Sequence, residues 1–229
     1  MKVISFCLWG NKPMYDIGAI KNAELARQIY PDWQAWFYIP RGYNENIVSE
    51  LTKRDAKIIE RPRIDNCLAM KWRFLPAFDK NIDIFICRDC DARLTIREYN
   101  AVLQFEKSAF HYMHCIKDHE AHQGFIIMGG TCGFKTKLLY REFKNNYDYF
   151  YSNGYKIQWP EYSIYGNGNY LGADQIFLQY FVYPKMKNHI LFHCDLPNRG
   201  TPLEKLEDKT TFIGNKFDEN DNPQFIRGY

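Results

Sequence analysis

The sequence predicts a single α/β domain spanning residues 1–229, built on a central, mixed, mostly parallel sheet flanked by helices. Three observations carry that expectation. Short strand-like apolar runs alternate with amphipathic helical patterns as far as residue 110. One of those runs, residues 82–88 (IDIFICR), is almost continuously apolar, as a strand covered on both faces requires. A length of 229 residues supports one good-sized core and is short for two, and no repeat, low-complexity stretch or linker divides the chain.

The elements follow in order. Residues 3–9 (VISFCLW) form a first strand ending at Gly10. A helix with Ala19, Ala23, Leu25, Ala26 and Ile29 on one side stops before Pro31. Residues 33–39 (WQAWFYI) are a second strand, 44–54 a short helix capped by Asn44 or Asn46, and 56–59 a third strand. Residues 67–78 (CLAMKWRFLPAF) carry a helical pattern that breaks near Pro76. Residues 82–88 are the central strand. A helix then starts at Thr95, with Glu98 three residues on as its capping-box partner. Strands are expected at 110–115, 125–128 and 190–194 (ILFHC), an amphipathic Tyr-rich helix at 136–151, and a short helix at 173–182. Residues 195–229, rich in Pro, Asn and Asp, read as an irregular wrap over the body.

Composition narrows the function. Hydrophobic residues at 46% and charged residues at 25% are ordinary for a soluble protein. The aromatic share of 17% is high. Such side chains fill cores and also line pockets for flat or sugar-like ligands. A net charge of +3 with interspersed signs and no basic block argues against nucleic acid and leaves room for a local phosphate patch. No run approaches the roughly 18 apolar residues of a membrane span. The N-terminus reads as a first strand rather than a signal peptide. Seven scattered cysteines, an odd number, make no disulfide framework and point to a reducing compartment, the cytoplasm.

Two motifs overlap in residues 85–94 (FICRDCDARL). Cys87 and Cys90 have the spacing of a redox dithiol or half a zinc site, but no second pair exists and Cys87 belongs to the apolar strand. They read as packing residues. Asp89 and Asp91 lie just past the strand, at the end where α/β sheets collect ligands. Carboxylates at i and i+2 of an extended backbone point the same way, so both reach one hard cation, Mn2+ or Mg2+. Such a cation neutralises a diphosphate leaving group. The plainer alternative is a pair of solvated turn aspartates, and the placement between Arg88 and Arg93 favours the cation.

Other residues stay open on this reading. Gly129 and Gly130 mark either a turn or a close approach of ligand to backbone. KDHEAH, with Asp118, His119 and His122, has no strong zinc pattern. It reads as a loop lining the acceptor side of the cleft, against a solvated loop. His193 in an apolar strand is by itself a core histidine, and Asp174 before an apolar helical run is a natural N-cap with Gln175 following. Arg73 would stack on Trp72 or pair with an acid.

Taken in order, VISFCLWG, MKWRF, RDCDARLTIRE, KDHEAH, IMGGTCG, GADQIFL and FDENDNP resemble a group of small GT-A-type glycosyltransferases. Its best-known members are chloroviral (algal virus) enzymes that build capsid glycans, with bacterial relatives. The resemblance covers nearly the whole chain and is strongest in RDCDARL and GADQ. It implies a GT-A-like (Rossmann-like) fold and a metal-dependent transferase in the cytoplasm, the host's if the protein is viral. The donor would be a nucleoside diphosphate sugar, with UDP the indicated nucleotide, and the acceptor a glycan or glycoprotein hydroxyl.

The order of parts also parallels retaining bacterial galactosyltransferases and glycogenin. By that likeness Asp89 and Asp91 hold the metal, with His193 as third ligand and His189 competing. Gly129 and Gly130 admit the sugar, and Asp174 and Gln175 flank the anomeric carbon. Leu8, Trp9 and Gly10 border the base, and Arg73 and Arg88 reach phosphate or sugar. One departure stands out. The late His-x-x-Gly-x-x-Lys-Pro segment of those enzymes, whose Lys grips phosphate, is replaced by HCDLPNRG, so that Arg199 substitutes or the metal shell differs. The alternatives are a nucleotidyltransferase or phosphohydrolase using the same aspartates, for which WGNKPMYDIG is a poor phosphate loop, and a non-catalytic sugar-binding domain.

Overall fold

The computed structural model describes the chain except residues 65, 123, 139, 154, 159–162, 167–171, 196–199, 205–211 and 225–229. Among the described residues seven strands form one sheet. β1 (Lys2–Cys7) pairs in parallel with β2 (Trp33–Pro40) on one side and β4 (Ile84–Arg88) on the other, and β3 (Lys57–Arg61) continues in parallel beyond β2. β5 (Met113–Lys117) and β6 (Cys132–Lys135) complete the sheet with β9 (Ile190–Cys194), in the order β3-β2-β1-β4-β6-β5-β9. β6 is antiparallel to both neighbours, and β9 is parallel to β5. The expected mixed, mostly parallel sheet is present, and 82–88 does supply its middle strand. A separate ribbon pairs β7 (Tyr155–Gln158) with β8 (Ser163–Gly166).

Two cores sandwich the sheet. One lies under α1 (Pro13–Ile29), α2 (Glu45–Thr52) and α3 (Ile96–Lys107), where Ala19, Ala23, Leu51, Val102 and Phe105 meet Ile4, Phe6, Ile84 and Ile86. The other lies under the 3-10 segment Cys67–Phe78, α4 (Tyr140–Asn153) and α5 (Ala173–Phe177), which runs through a π turn at Leu178–Val182 into α6 (Tyr183–Met186). Its aromatic contacts include Phe85 stacked on Phe134 and Phe74 against Phe177, with ring centres 5.2 and 5.7 Å apart. The high aromatic content goes largely into this core.

Local signals explain most boundaries. Asn44 caps α2 by accepting from Asn46 N (3.0 Å), and Thr95 caps α3 by accepting from Glu98 N (3.1 Å). The Glu98 carboxylate turns inward to Arg88 and Tyr30. Four expectations shift. The 67–78 segment is 3-10 rather than α and does not break at Pro76, since Asp79 N closes on Pro76 O at its end (3.2 Å). β5 begins at Met113, not 110. The helix expected from 136 begins at Tyr140, after a 3-10 turn at Thr136–Leu138. Residues 125–128 form no strand. Ile126 N bonds the Gln179 side chain and Thr131 N folds back on Met128 O, so the next strand starts at Cys132.

At the far edge His193 on β9 faces His114 on β5. His114 Nε2 lies 2.8 Å from His193 Nδ1, and His193 Nε2 lies 3.1 Å from Gln104 Oε1 of α3. Burial holds both imidazoles below their ordinary range, His193 down to about 4 and His114 well below. The unfolded chain takes up these protons as pH falls through about 6.5, while native His193 resists until about 4 and His114 resists as well, so stability is lost as pH falls across that window. Urea midpoints should show a His193-dependent loss of about 2 kcal/mol between pH 7 and pH 4.5. His193→Asn should flatten the acid slope. An unchanged slope would place the protonation elsewhere.

Candidate functional site

The period of the middle strand sets the site. Ile84 and Ile86 face the α1 side, so Arg88, two residues on, faces it too. Its guanidinium is 2% exposed, pairs with Glu98 and donates from Nη1 to Cys132 O (3.0 Å). Arg88 ties β4 to α3, and these partners engage the guanidinium expected to contact the donor. Asp89 comes next, where the chain leaves the sheet.

Asp89 Oδ1 accepts from Arg73 Nη1 at 2.7 Å. Arg73 comes from the 3-10 segment, where its Nε donates to Met70 O (3.3 Å), and Asp174 Oδ2 of α5 lies 3.9 Å from the same Nη1. Arg73 and Asp174 are each 5% exposed at the side chain, whereas Asp89 is 41% exposed. One buried cation thus joins two carboxylates remote in sequence, and one of them opens outward. Burial pushes Asp174 up, and Arg73 opposes that shift.

The glycine pair closes the other side. A Cβ on Gly130 would lie 1.9 Å from Asp89 Oδ2, and one on Gly129 would lie 2.2 Å from Asp174 Oδ2. A side chain at either position would meet a carboxylate, so the glycine pair leaves room for Asp89 and Asp174.

Asp91 is held by burial, then by the Asp89 charge, at about 6, with Lys216 and Arg73 pulling it back. Its carbonyl accepts from Phe217 N at 2.8 Å, so the C-terminal segment crosses the site and delivers Lys216 there. Tyr15, on the first turn of α1, is pushed up to about 12 by burial and by Asp91 and Asp89. Cys7, at the end of β1, is raised by burial while Arg73 opposes. Tyr151 feels Asp174 most among its charged neighbours. Among the described residues, neither the Tyr151 hydroxyl nor Gln175 Oε1 has a hydrogen-bond partner, although both atoms are buried.

The remaining expectations divide. Trp9 is half-buried against the aromatic core and Gly10 is exposed with φ 89° just past β1, while Leu8 is buried in the α1-side core and its N–H bonds Tyr38 O. His193 is not brought beside Asp89 and Asp91. Its strand lies three places from β4, roughly 14 Å away, and both ring nitrogens are engaged. His189 bonds Phe110 O (3.1 Å) on that same edge. Arg199 lies outside the described residues. Cys87 and Cys90 are buried packing residues, as expected, with Sγ 3.4 Å from Arg73 O and 3.5 Å from Cys7 O. Asp118, His119 and His122, expected along the acceptor side of the cleft, contact the C-terminal segment, Asp118 accepting from Ile213 N (3.0 Å) and His119 stacking on Phe212.

Sequence reading missed Lys216, Tyr15, Cys7 and Tyr151. Lys216 is one of several lysines in the tail, and nothing local singles it out until the tail is folded back.

Among the described residues no group of three or more His, Cys, Asp or Glu converges on one point. Two carboxylates suffice for Mg2+, which keeps waters and shares substrate phosphates, so Asp89 and Asp91 fit such an ion as hard oxygen donors. A wide cavity of about 1280 Å³ opens at the opposite, amino end of the strands. Charges around it pair with one another, Met1 with Asp83 and Lys2 with Glu106, so it offers no comparable set.

No family model matches the chain, and no curated protein matches it by sequence. Solved structures do. A 4-diphosphocytidyl-2C-methyl-D-erythritol synthase from Anaerococcus prevotii is 12% identical, with a TM-score of 0.53 over 84% of this chain and 86% of that one. The galactosyltransferase LgtC, with donor and acceptor sugar analogues, gives 13%, 0.49, 85% and 74%. A mannosyltransferase from Pyrobaculum calidifontis, in complex with GDP-Man and Mn2+, gives 14%, 0.46, 61% and 46%. The fold is GT-A-like. At these identities the likeness establishes the fold and nothing finer. A chloroviral connection finds no support in these comparisons, and among the described residues no helix is long and apolar enough to cross a membrane.

Gly130→Ala should lower the melting temperature by roughly 3–10 °C, because overpacking costs about 1–3 kcal/mol. Gly124→Ala, with open space around its Cβ, should leave it unchanged. Equal melting curves for the two variants would show that the Asp89 carboxylate is free to move aside.

Proposed function

We propose that this protein is a metal-dependent glycosyltransferase that moves a sugar from a UDP-linked donor to a glycan or glycoprotein hydroxyl, with retention at the anomeric carbon. The observation that carries the reading is the joining of Asp89 and Asp174 through Arg73 at the mouth of the middle strand, with Asp91 alongside.

Each residue then has a task. Asp89 and Asp91 would hold Mn2+ or Mg2+ as hard oxygen donors. When bound, the ion supplies charge neutralisation to the departing diphosphate. Lys216, the cation beside Asp91, adds fixed positive charge at the same place and takes the part expected of Arg199. Arg73 offsets the repulsion between Asp89 and Asp174 and holds both near the donor.

Breaking the anomeric bond builds positive charge on the sugar. Asp174 supplies the facing carboxylate, either as stabiliser or as nucleophile. The Tyr151 hydroxyl and Gln175 Oε1, a donor and an acceptor in need of partners, suit the sugar hydroxyls. Retention follows from the likeness of the GADQ stretch to retaining enzymes. The acceptor hydroxyl attacks on the leaving-group face, and its proton passes to a phosphate oxygen. Trp9 and Gly10 border the base.

Calorimetry with UDP tests the reading. Affinity should require Mn2+ and fall at least tenfold in Asp91→Ala, with the fold intact. Metal-independent UDP binding that survives the substitution would reject the proposal. Turnover of CTP and a sugar phosphate to pyrophosphate would identify a nucleotidyltransferase instead. Lys216→Ala should weaken UDP binding about tenfold, the worth of one charge-assisted contact, while leaving the Mn2+ requirement in place.

A further inference from the structure

The KDHEAH loop has no part in the chemistry just described, yet its side chains are spent on one task. The segment from Phe212 to Gln224 crosses the mouth of the middle strand and is pinned at both ends. At the first end Ile213 N donates to Asp118 Oδ2 (3.0 Å), and the Ile213 side chain is buried against Ala101 and Ile116. The Phe212 ring lies flat on His119, with centres 4.0 Å apart and planes 9° apart, and meets His122 edge-on at 5.4 Å. Arg97 of α3 locks the anchor by pairing with Asp118 and with Asp195 (2.6 Å).

At the second end Asp221 accepts from Arg93 Nε (2.8 Å) and Lys21 Nζ (2.6 Å), and Arg93 Nη2 donates to Asp218 O (3.1 Å). Between the anchors the chain has little freedom. Gly214 turns at φ 81°, where an added Cβ would lie 2.9 Å from Thr131, the neighbour of Gly130. Asn215 is buried, Gln224 N donates to Lys216 O (2.6 Å), and Phe217 N bonds Asp91 O (2.8 Å).

We infer that Asp118, His119 and Phe212 are positioning residues: they fix the strap that sets Lys216 beside Asp91, and so tune the affinity of the site for a nucleoside diphosphate without touching it. This rests on the reading of Lys216 as a diphosphate contact. The loop that sequence assigns to the acceptor side therefore acts on the donor side, through backbone placement.

A double-mutant cycle on the full chain tests it, by calorimetry with UDP and Mn2+ and with uridine as a probe lacking phosphate. Phe212→Ala should weaken UDP about fivefold, and should cost nothing further in the Lys216→Ala background, because a positioning effect has nothing left to position. Uridine binding should stay the same in all variants. Phe212→Trp, which keeps a stacked ring, should restore the UDP affinity. His119→Leu repeats the test from the other partner should Phe212→Ala fold poorly. Additive losses, or an equal loss for uridine, overturn the inference and leave the glycosyltransferase reading standing. Absence of UDP binding in the unsubstituted protein overturns both.

Discussion

Asp89 and Asp174 stand on different elements, and one buried guanidinium, that of Arg73, lies between them. Like charges brought together repel, and Asp174, buried, is pushed up by burial with Asp89 adding to the shift. Arg73 offsets that repulsion from within the fold. The arrangement also imposes demands on its surroundings. The 3-10 segment must bring Arg73 up from the aromatic core, α5 must start where Asp174 reaches it, and Gly129 and Gly130 must leave space for the two carboxyl groups.

Polarity within the sheet follows the same economy. Successive residues of the middle strand face opposite cores, so Arg88 and Asp89 cannot serve one ligand together. Arg88 goes inward to Glu98 and Tyr30, where a charge is tolerable only because it is paired and hydrogen-bonded. That pair fixes α3 against β4 and thereby fixes the loop that carries Asp89 and Asp91. On the far edge His114, His193 and Gln104 solve the same problem with neutral groups, and the solution consumes the histidine that resemblance would have assigned to the metal.

The C-terminal segment gives the site its last wall. A stretch rich in Asp and Asn has too little apolar surface to pack by itself. It is ordered here through a few specific attachments, a ring stack on His119, a backbone bond to Asp118 and ion pairs to Arg93 and Lys21. A cation placed by such a strap depends on contacts well away from the reacting atoms.

The sequence by itself determined the alternation of strands and helices through the first 110 residues, the middle strand and the position of Asp89 and Asp91 at its end, because those depend on local periodicity and on capping within a few residues. It marked Asp174, Gln175 and the glycine pair through resemblance, without the physical reason for them. Tertiary structure alone decided which charges meet. Arg73 with Asp89 and Asp174, the docking of the Lys216–Phe217 stretch on Asp91, and the withdrawal of Arg88 and His193 into the interior all depend on strand order and on the fold-back of the tail. Pairings between residues tens to more than a hundred positions apart leave no periodic trace in the chain. They arise because a buried charge must find its partner wherever packing has put it.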